Sequence, residues 1–277
     1  MEVAVSKYHG LGNDFILLRE EEAAKITDLK DFIVQVCDRH TGIGADGLIV
    51  ARTNPYFMDY YNQDGSMAPM CGNGIRCLSK FLIDEGLAEG EEIAIETRAG
   101  LKTVSVLSSD PFRVQVNMGQ AIYDPAAIDA DTDAEIWNQP LMTENGIVPI
   151  YSFFMSTTHT VLFDEEAMGD IEAKGKAVCF HPLFKKQTNA NFVHILDPGH
   201  IQVQTYERGC GVTLACGTGV CASALVCVKE GLCKPHVDVE LKKGHLQIDV
   251  LEDETVLMTG PAEKILSGTF YYHPNHQ

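Results

Sequence analysis

The tetrapeptide Cys71-Gly72-Asn73-Gly74 returns as Cys216-Gly217-Thr218-Gly219, 145 residues further along the chain. Each copy opens a stretch with the apolar spacing of a helix, about Gly74 to Glu85 and about Thr218 to Glu230, and each stretch stops at a glycine, Gly86 or Gly231. The flanks repeat as well. Tyr61-Asn62 matches Tyr206-Glu207, with Asn62 and Glu207 each nine residues ahead of its cysteine. Ile93, Ile95 and Gly100 correspond to Val237, Val239 and Gly244, and Val116 to Gly119 echo Leu257 to Gly260. Nearer the starts, Asn13-Asp14-Phe15 compares with Asn189-Ala190-Asn191-Phe192. A period near half of 277 residues is far longer than the roughly 20–50 residues of a solenoid repeat. It predicts an α/β (α+β) chain of two similar halves made by duplication: 1–118 carrying Cys71 and 119–262 carrying Cys216.

Around the repeat, Ile26, Leu29, Ile33, Val36 and Cys37 recur at helical spacing, with Thr27 as N-cap. Alternation predicts strands at Ile93–Thr97, Leu101–Leu107 and Phe112–Met118, then at Tyr151–Met155, His159–Phe163, Asn191–Leu196 and Ile201–Tyr206. Val237–Leu241, Leu246–Val250, Val256–Met258 and Phe270–His273 complete the set. Gln120 to Gly146 has little periodicity and reads as a connection.

A formal charge of −18 repels phosphate backbones and anionic lipid, which argues against nucleic-acid or membrane-surface partners. It leaves room for a small anionic substrate, because donors in contact with the ligand outweigh a distant field. No segment reaches the ~18–20 apolar residues of a membrane span, and the first fifteen residues lack the apolar stretch of a secretory signal. Nine cysteines, an odd number in a chain of this size, read as reduced thiols in a reducing, cytoplasmic compartment.

Each repeated cysteine precedes a Gly-x-Gly at a helix start. There the first N–H groups lack intrahelical partners and the helix dipole favours negative charge. The thiol is thereby shifted toward thiolate and the N–H groups are available to a carboxylate. Cys37, Cys179, Cys227 and Cys233 read as small buried hydrophobes, and Cys77 and Cys221 as packing within the two helices. No C-x₂-C pair occurs, and Cys216 and Cys227 are eleven residues apart, about 16 Å along a helix, so no metal site is expected. Two equivalent acid/base groups suit inversion of a carbon by proton exchange: a base on one face, an acid on the other, with roles exchanged in reverse. One thiolate and one thiol meet that need, and the two helix starts would steady the carbanion through the substrate carboxylate. The chemistry is that of a racemase or epimerase. A non-catalytic thiol protein that binds metal or senses redox state is the alternative from another class.

GLGNDF, DRHTGIGADG, NQDGSMAPMCGNGIRC, YERGCGVTLACGTG and MTGPAE, in this order over nearly the whole chain, resemble the diaminopimelate epimerase family. The related proline racemases typically have histidine where this chain has Asn73. The resemblance implies interconversion of LL- and meso-diaminopimelate without a cofactor, in lysine and cell-wall precursor synthesis. It also implies two domains that wrap mostly antiparallel strands around a central helix, a site in a cleft, a tail (263–277) packed on the first half, and a homodimer. By position, Cys71 and Cys216 become the proton-transfer pair, Glu207 and His159 supporting residues, and Gly72, Asn73, Gly217 and Thr218 donors to the reacting carboxylate. Asn13, Asn62, Asn189, Glu207 and Arg208 would take the remaining amino and carboxylate groups, with the Arg208 fork suited to the distal carboxylate. Two opposed thiols would also be open to inactivating oxidation to a Cys71–Cys216 disulfide. Three positions depart from the common pattern: Gly47 where some members have Gln, Thr157 in place of Asn, and Val212 in place of Glu. They bear on the far end of the substrate. A racemase of another amino acid on the same scaffold is therefore the nearer alternative.

Overall fold

Alternating burial along segments such as Phe112–Gly119 sets the strands of a computed structural model that describes residues 1–144, 146–166 and 168–274. The chain divides into two units, Met1–Val116 with Gly260–Gln277, and Asn117–Thr259. In chain order the first half contributes β1 (Glu2–Gly10), β2 (Asn13–Arg19), α1 (Glu20–Ala23), α2 (Leu29–Cys37), β3 (Gly47–Thr53), β4 (Tyr56–Asn62), α3 (Gly72–Asp84), β5 (Glu92–Thr97), β6 (Gly100–Ser109) and β7 (Phe112–Gly119). The second contributes β8 (Ile136–Thr143), β9 (Gly146–Phe154), β10 (Thr158–Phe163), α4 (Glu172–Cys179), β11 (Asn189–Asp197), β12 (His200–Glu207), β13 (Gly211–Val212), α5 (Gly217–Lys229), β14 (His236–Leu241), β15 (Gly244–Val250) and β16 (Val256–Pro261). A last strand, β17 (Glu263–Tyr271), runs antiparallel to β1 from His9↔Glu263 to Glu2↔Tyr271 and completes the first unit.

The duplication is visible as topology. In the first unit β2 is parallel to β3 across α2, β3 antiparallel to β4, β4 parallel to β5 across α3, and β5–β6–β7 antiparallel. In the second, β10 is parallel to β11 across α4, β11 antiparallel to β12, β12 parallel to β14 across α5, and β14–β15–β16 antiparallel. The registers fix which residues are equivalent. Leu48 faces Tyr61 as Ala190 faces Tyr206, and Phe15 faces Gly47 as His159 faces Asn189. The counterpart of Asn189 is therefore Gly47, and that of Asn13 is Thr157. The likeness of Asn13-Asp14-Phe15 to Asn189-Ala190-Asn191-Phe192 joins β2 to β11, strands with different places in the repeat, and does not mark equivalent positions. Three residues at a strand start are too few to override the register of a whole ladder.

Each cysteine-led helix is enclosed by strands. α3 packs on β1, β2, β3, β4 and β17, and α5 on β10, β11, β12, β14 and β15. α5 is buried from Gly217 through Cys227, so it is apolar on every side rather than along one stripe. The outer helices cover the sheet faces. Phe32, Ile33, Val36 and Cys37 of α2 join Ile16, Leu18, Leu48 and Val50, while Val178 and Cys179 of α4 join Leu162, Ala190, Phe192 and Tyr206.

Several elements differ from the sequence expectation. The N-cap of α2 is Asp28 rather than Thr27: its carboxylate accepts from the Asp31 N–H at 3.0 Å, and the helix runs from Leu29. The segment read as a connection carries β8, which forms a hairpin with β9, a strand expected over Tyr151–Met155 and found to begin at Gly146, with Pro140 opposite Pro149. α4 was not anticipated at all, and the terminal strand begins at Glu263, well before Phe270.

Candidate functional site

In the first unit Cys71 is the N-cap of α3: its backbone is extended, and its Sγ accepts the Gly74 N–H at 3.4 Å. A small side chain is needed where α3 begins, since a Cβ on Gly74 would lie 2.7 Å from the Met58 methyl and 3.1 Å from Ile49. Asn73 is buried, and its amide donates to Asn13 Oδ1 at 3.0 Å. The Cys71 thiol points to the same oxygen at 3.7 Å. Cys71, Asn13 and Asn73 are thus brought together with Gly72. Asn62, at the end of β4, is turned to other partners: it accepts from the Tyr60 hydroxyl at 3.1 Å and donates to Ser66 at 3.0 Å.

Two further groups hold this arrangement. Asp46 accepts from Asn13 Nδ2 at 2.6 Å and from Arg39 at 2.7 Å. Arg39 also grips Asp14, which Lys7 reaches at 2.9 Å. Burial alone would raise the Asp14 carboxyl, but the hydrogen bonds from Arg39 and Lys7 hold it below the usual range. Beneath the helix start lies Arg76, fully buried, donating to the Gly72 carbonyl at 3.1 Å and to Pro261 at 3.0 Å. Asp46 and Arg76 both lie inside motifs that the sequence displayed, and they bear on the cysteine through Asn13 and the Gly72 carbonyl. Only their partners reveal what they do.

In the second unit Cys216 is the N-cap of α5, and its Sγ is 3.6 Å from Thr218 Oγ1. His159, on β10, is wholly buried behind Thr218, with Nε2 at 2.9 Å from that hydroxyl and Nδ1 at 3.2 Å from Asn191 Nδ2. Burial, reinforced by the Arg208 charge, pulls the imidazole down to about 3, so it is neutral at physiological pH. His159 therefore meets the cysteine through Thr218 rather than directly. Asn189 Oδ1 accepts the Arg208 N–H at 3.0 Å, and Glu207 accepts from the Thr213 hydroxyl at 2.6 Å. The Arg208 guanidinium donates to the Lys186 carbonyl at 3.2 Å and to Thr157 Oγ1 at 3.3 Å. Val212 pairs with Tyr206 in the short β13 ladder.

The departures acquire physical reasons. A side chain at Gly47 would meet the Tyr61 carbonyl at 2.5 Å and the Tyr60 ring at 2.8 Å. Tyr60, which also bonds Asn62, fills the space a glutamine would need. Thr157 supplies a single acceptor to Arg208 where an amide would offer both an acceptor and a donor. The cysteines read as packing are buried, and burial pushes the Cys37 thiol up to about 12. Cys210, which no sequence argument singled out, is exposed in the turn after Arg208. Among the described residues no group of three or more His, Cys, Asp or Glu side chains is placed to hold a metal ion, and no helix is long and apolar enough to cross a membrane.

The chemical capacity of each half is a thiol whose charge a helix start can stabilise, beside N–H donors suited to a carboxylate. Comparison with known proteins gives this arrangement a context. A family model described as diaminopimelate epimerase matches residues 5–123 and 152–265. A diaminopimelate epimerase of Alkaliphilus metalliredigens is 38% identical over 98% of this chain and 98% of its own, and one of Pelotomaculum thermopropionicum is 37% identical over 96% and 98%. The crystal structure of a probable proline racemase from Agrobacterium radiobacter K84 has the same fold, with a TM-score of 0.70 at 14% identity over 99% of this chain and 94% of that one.

Proposed function

This chain belongs to the diaminopimelate epimerase family, and from that premise we propose that it interconverts LL- and meso-diaminopimelate by proton transfer between two cysteines. One thiolate removes the α-proton from one face of the carbon, and the thiol of the other cysteine delivers a proton to the opposite face. The reverse reaction exchanges the roles of Cys71 and Cys216. The substrate α-carboxylate takes N–H donors of Gly72, Asn73, Gly217 and Thr218, which steady the charge that develops as the proton leaves. Asn13, Asn62, Asn189 and Glu207 take the amino groups and the remaining carboxylate oxygens, and Arg208 takes the distal carboxylate. To engage it bidentately, the guanidinium exchanges its hold on Thr157 and the Lys186 carbonyl for the ligand. His159 serves as a neutral supporting residue. The enzyme works without a cofactor, in the cytoplasm and as a homodimer.

The observation that carries this reading is a cysteine at the N-cap position of both α3 and α5, equivalent places of a duplicated fold. The test is proton NMR of LL-diaminopimelate with reduced protein in D₂O and no added cofactor. Loss of the α-proton signal with growth of the meso isomer is expected, and Cys71→Ala or Cys216→Ala abolishes it. Absence of exchange with folded protein and titratable thiols would overturn the substrate assignment. Exchange on a different amino acid from a panel would establish a racemase of altered specificity, which the replacements at Gly47 and Thr157 make worth including.

A further inference from the structure

The two cysteines occupy equivalent places, but their neighbours are not equivalent. Register places Phe15 where the second unit has His159, Ile49 where it has Asn191, and Tyr60 where it has Thr205. On the helices Asn73 stands for Thr218. The second unit has thus replaced a buried apolar wall by a chain of polar groups that ends at Cys216.

The direction of that chain can be read from its fixed points. Asn191 Nδ2 lies 3.0 Å from the Thr160 carbonyl and 3.3 Å from the Asn189 carbonyl, both acceptors only, while Oδ1 takes the Thr205 hydroxyl at 2.9 Å. The amide cannot be turned over without setting oxygen against two carbonyl oxygens. Nδ2 therefore faces His159 Nδ1, that nitrogen is an acceptor, and the imidazole hydrogen sits on Nε2. Nε2–H donates to Thr218 Oγ1, and with that lone pair engaged the hydroxyl's own hydrogen is available to Cys216 Sγ, 3.6 Å away. Gly219 preserves the seat of this relay, since a Cβ there would come within 2.1 Å of Asn191 Oδ1.

In the first unit the polarity is reversed. The Asp46 carboxylate can only accept, so Asn13 Nδ2 faces it and Oδ1 faces α3. That oxygen already takes the Asn73 amide and can only accept from Cys71, which must then carry its hydrogen. The Gly74 N–H on the same sulfur is compatible with a thiol, which donates and accepts at once.

We propose that the resting enzyme is poised asymmetrically, with Cys216 as thiolate and Cys71 as thiol, and that Asn191, His159 and the Thr218 hydroxyl on one side and Asp46 acting through Asn13 on the other are the positioning groups that set this difference. The proposal rests on the two-thiol reading above and specifies which thiol holds the proton before substrate arrives; the Cys216 proton is released to solvent. Both sulfurs stand at a helix start, but Cys71 Sγ takes the Gly74 N–H while Cys216 makes no side-chain capping bond; that contact favours thiolate at Cys71, and the Asn13 acceptor has to outweigh it. The charged and titratable groups around the second set are Arg208, Glu207 and the neutral His159. Around the first they are Asp14, Asp46, Arg39, Lys7, Arg76 and Cys77, three cations against two carboxylates, so net charge alone would favour thiolate at Cys71 and the proposed order requires the direct contacts to decide.

The test is a pH titration of the whole, reduced protein labelled with ¹³C at cysteine Cβ, whose shift follows thiol ionisation whether or not a reagent can reach the sulfur. Cys71→Ser and Cys216→Ser assign the two signals. Cys216 is expected to titrate below Cys71 by about one to two pH units, the size of a hydrogen bond donated to a charged acceptor. Thr218→Val should raise the Cys216 midpoint by a similar amount and leave Cys71 in place, and Thr218→Ser should restore it. Asp46→Asn should lower the Cys71 midpoint alone. A Cys71 midpoint at or below that of Cys216, or a Thr218→Val variant that leaves the Cys216 midpoint unmoved, overturns the proposal. Because no substrate is present, either result stands apart from the epimerisation assay, whose failure would instead sink the reading of function.

Discussion

Acidification should cost this protein stability through His159 in a way that can be isolated and measured. In the unfolded chain the imidazole titrates near 6.5; in the fold, burial and the Arg208 charge take it to about 3. Below pH 6.5 the unfolded state therefore binds a proton that the native state refuses. Stability contributed by this group is complete above the unfolded value and is lost as pH falls toward the folded one. The slope is about 1.4 kcal/mol per unit, and the integral from pH 7 to pH 5 is about 2 kcal/mol. His159→Gln removes the titration while leaving an amide that can still donate toward Thr218 and accept from Asn191. The variant should be less stable at pH 7, with a deficit that shrinks by about 2 kcal/mol at pH 5. Carboxylates and exposed histidines titrate alike in both proteins and cancel from the difference. Trp137, the one tryptophan, lies in the same unit as His159, so urea unfolding followed by its fluorescence reports the relevant half. Stability curves for the two proteins that run parallel between pH 7 and 5 would refute the claim that the native imidazole is dry and neutral.

Three other substitutions probe separate parts of the account. Gly219→Ala drives a methyl into Asn191 in a close-packed interior and should destabilise the protein by about 1–3 kcal/mol in urea unfolding; a neutral effect would mean that Asn191 has room to move. Asp46→Ala frees the Asn13 amide to rotate, and a displaced contact of this kind should lower kcat about tenfold or more with far less change in KM, whereas a change confined to KM would make Asn13 a simple binding group. Arg208→Lys keeps the charge and loses the fork. It should raise KM for diaminopimelate by about tenfold or more with a smaller effect on kcat, and unchanged kinetics would remove Arg208 from the distal carboxylate.

How much of this was legible in the sequence depends on whether a residue acts by itself or through another. Cys71 and Cys216 stand out because each repeats the other's setting, and their positions as N-caps follow from the glycines beside them. Asn191 looks like one polar residue in an apolar strand, and Asp46 like one acid in a glycine-rich loop; their meaning lies in which amide nitrogen or oxygen they force toward a cysteine. The same holds for the fold. Gly175, in the middle of α4, reads as a helix breaker, but a Cβ there would lie 2.4 Å from Tyr206 Cβ and 2.7 Å from its ring, so the glycine is there for packing. β8 and the first part of β9 escaped notice because Pro140 and Pro149 interrupt the two strands and Asn138 adopts a positive φ of 53°, which spoils the alternation, while the end of β9 fell within the expected strand at Tyr151–Met155. Asn13 and Asn189 looked equivalent by local likeness, and only the ladder registers separate them.

The pairing of β1 with β17 has a bearing on how the chain is made. A ribosome releases β1 before the whole of the second unit and β17 after it, and Met1 meets the Tyr272 carbonyl across that interval. The half that carries Cys216 is a continuous stretch and can close while synthesis continues. The half that carries Cys71 waits with an unmatched strand edge until β17 has been made. The order of birth is thus inverted in the order of folding: the later repeat matures first, and the thiol encoded earlier is the last to gain its finished surroundings.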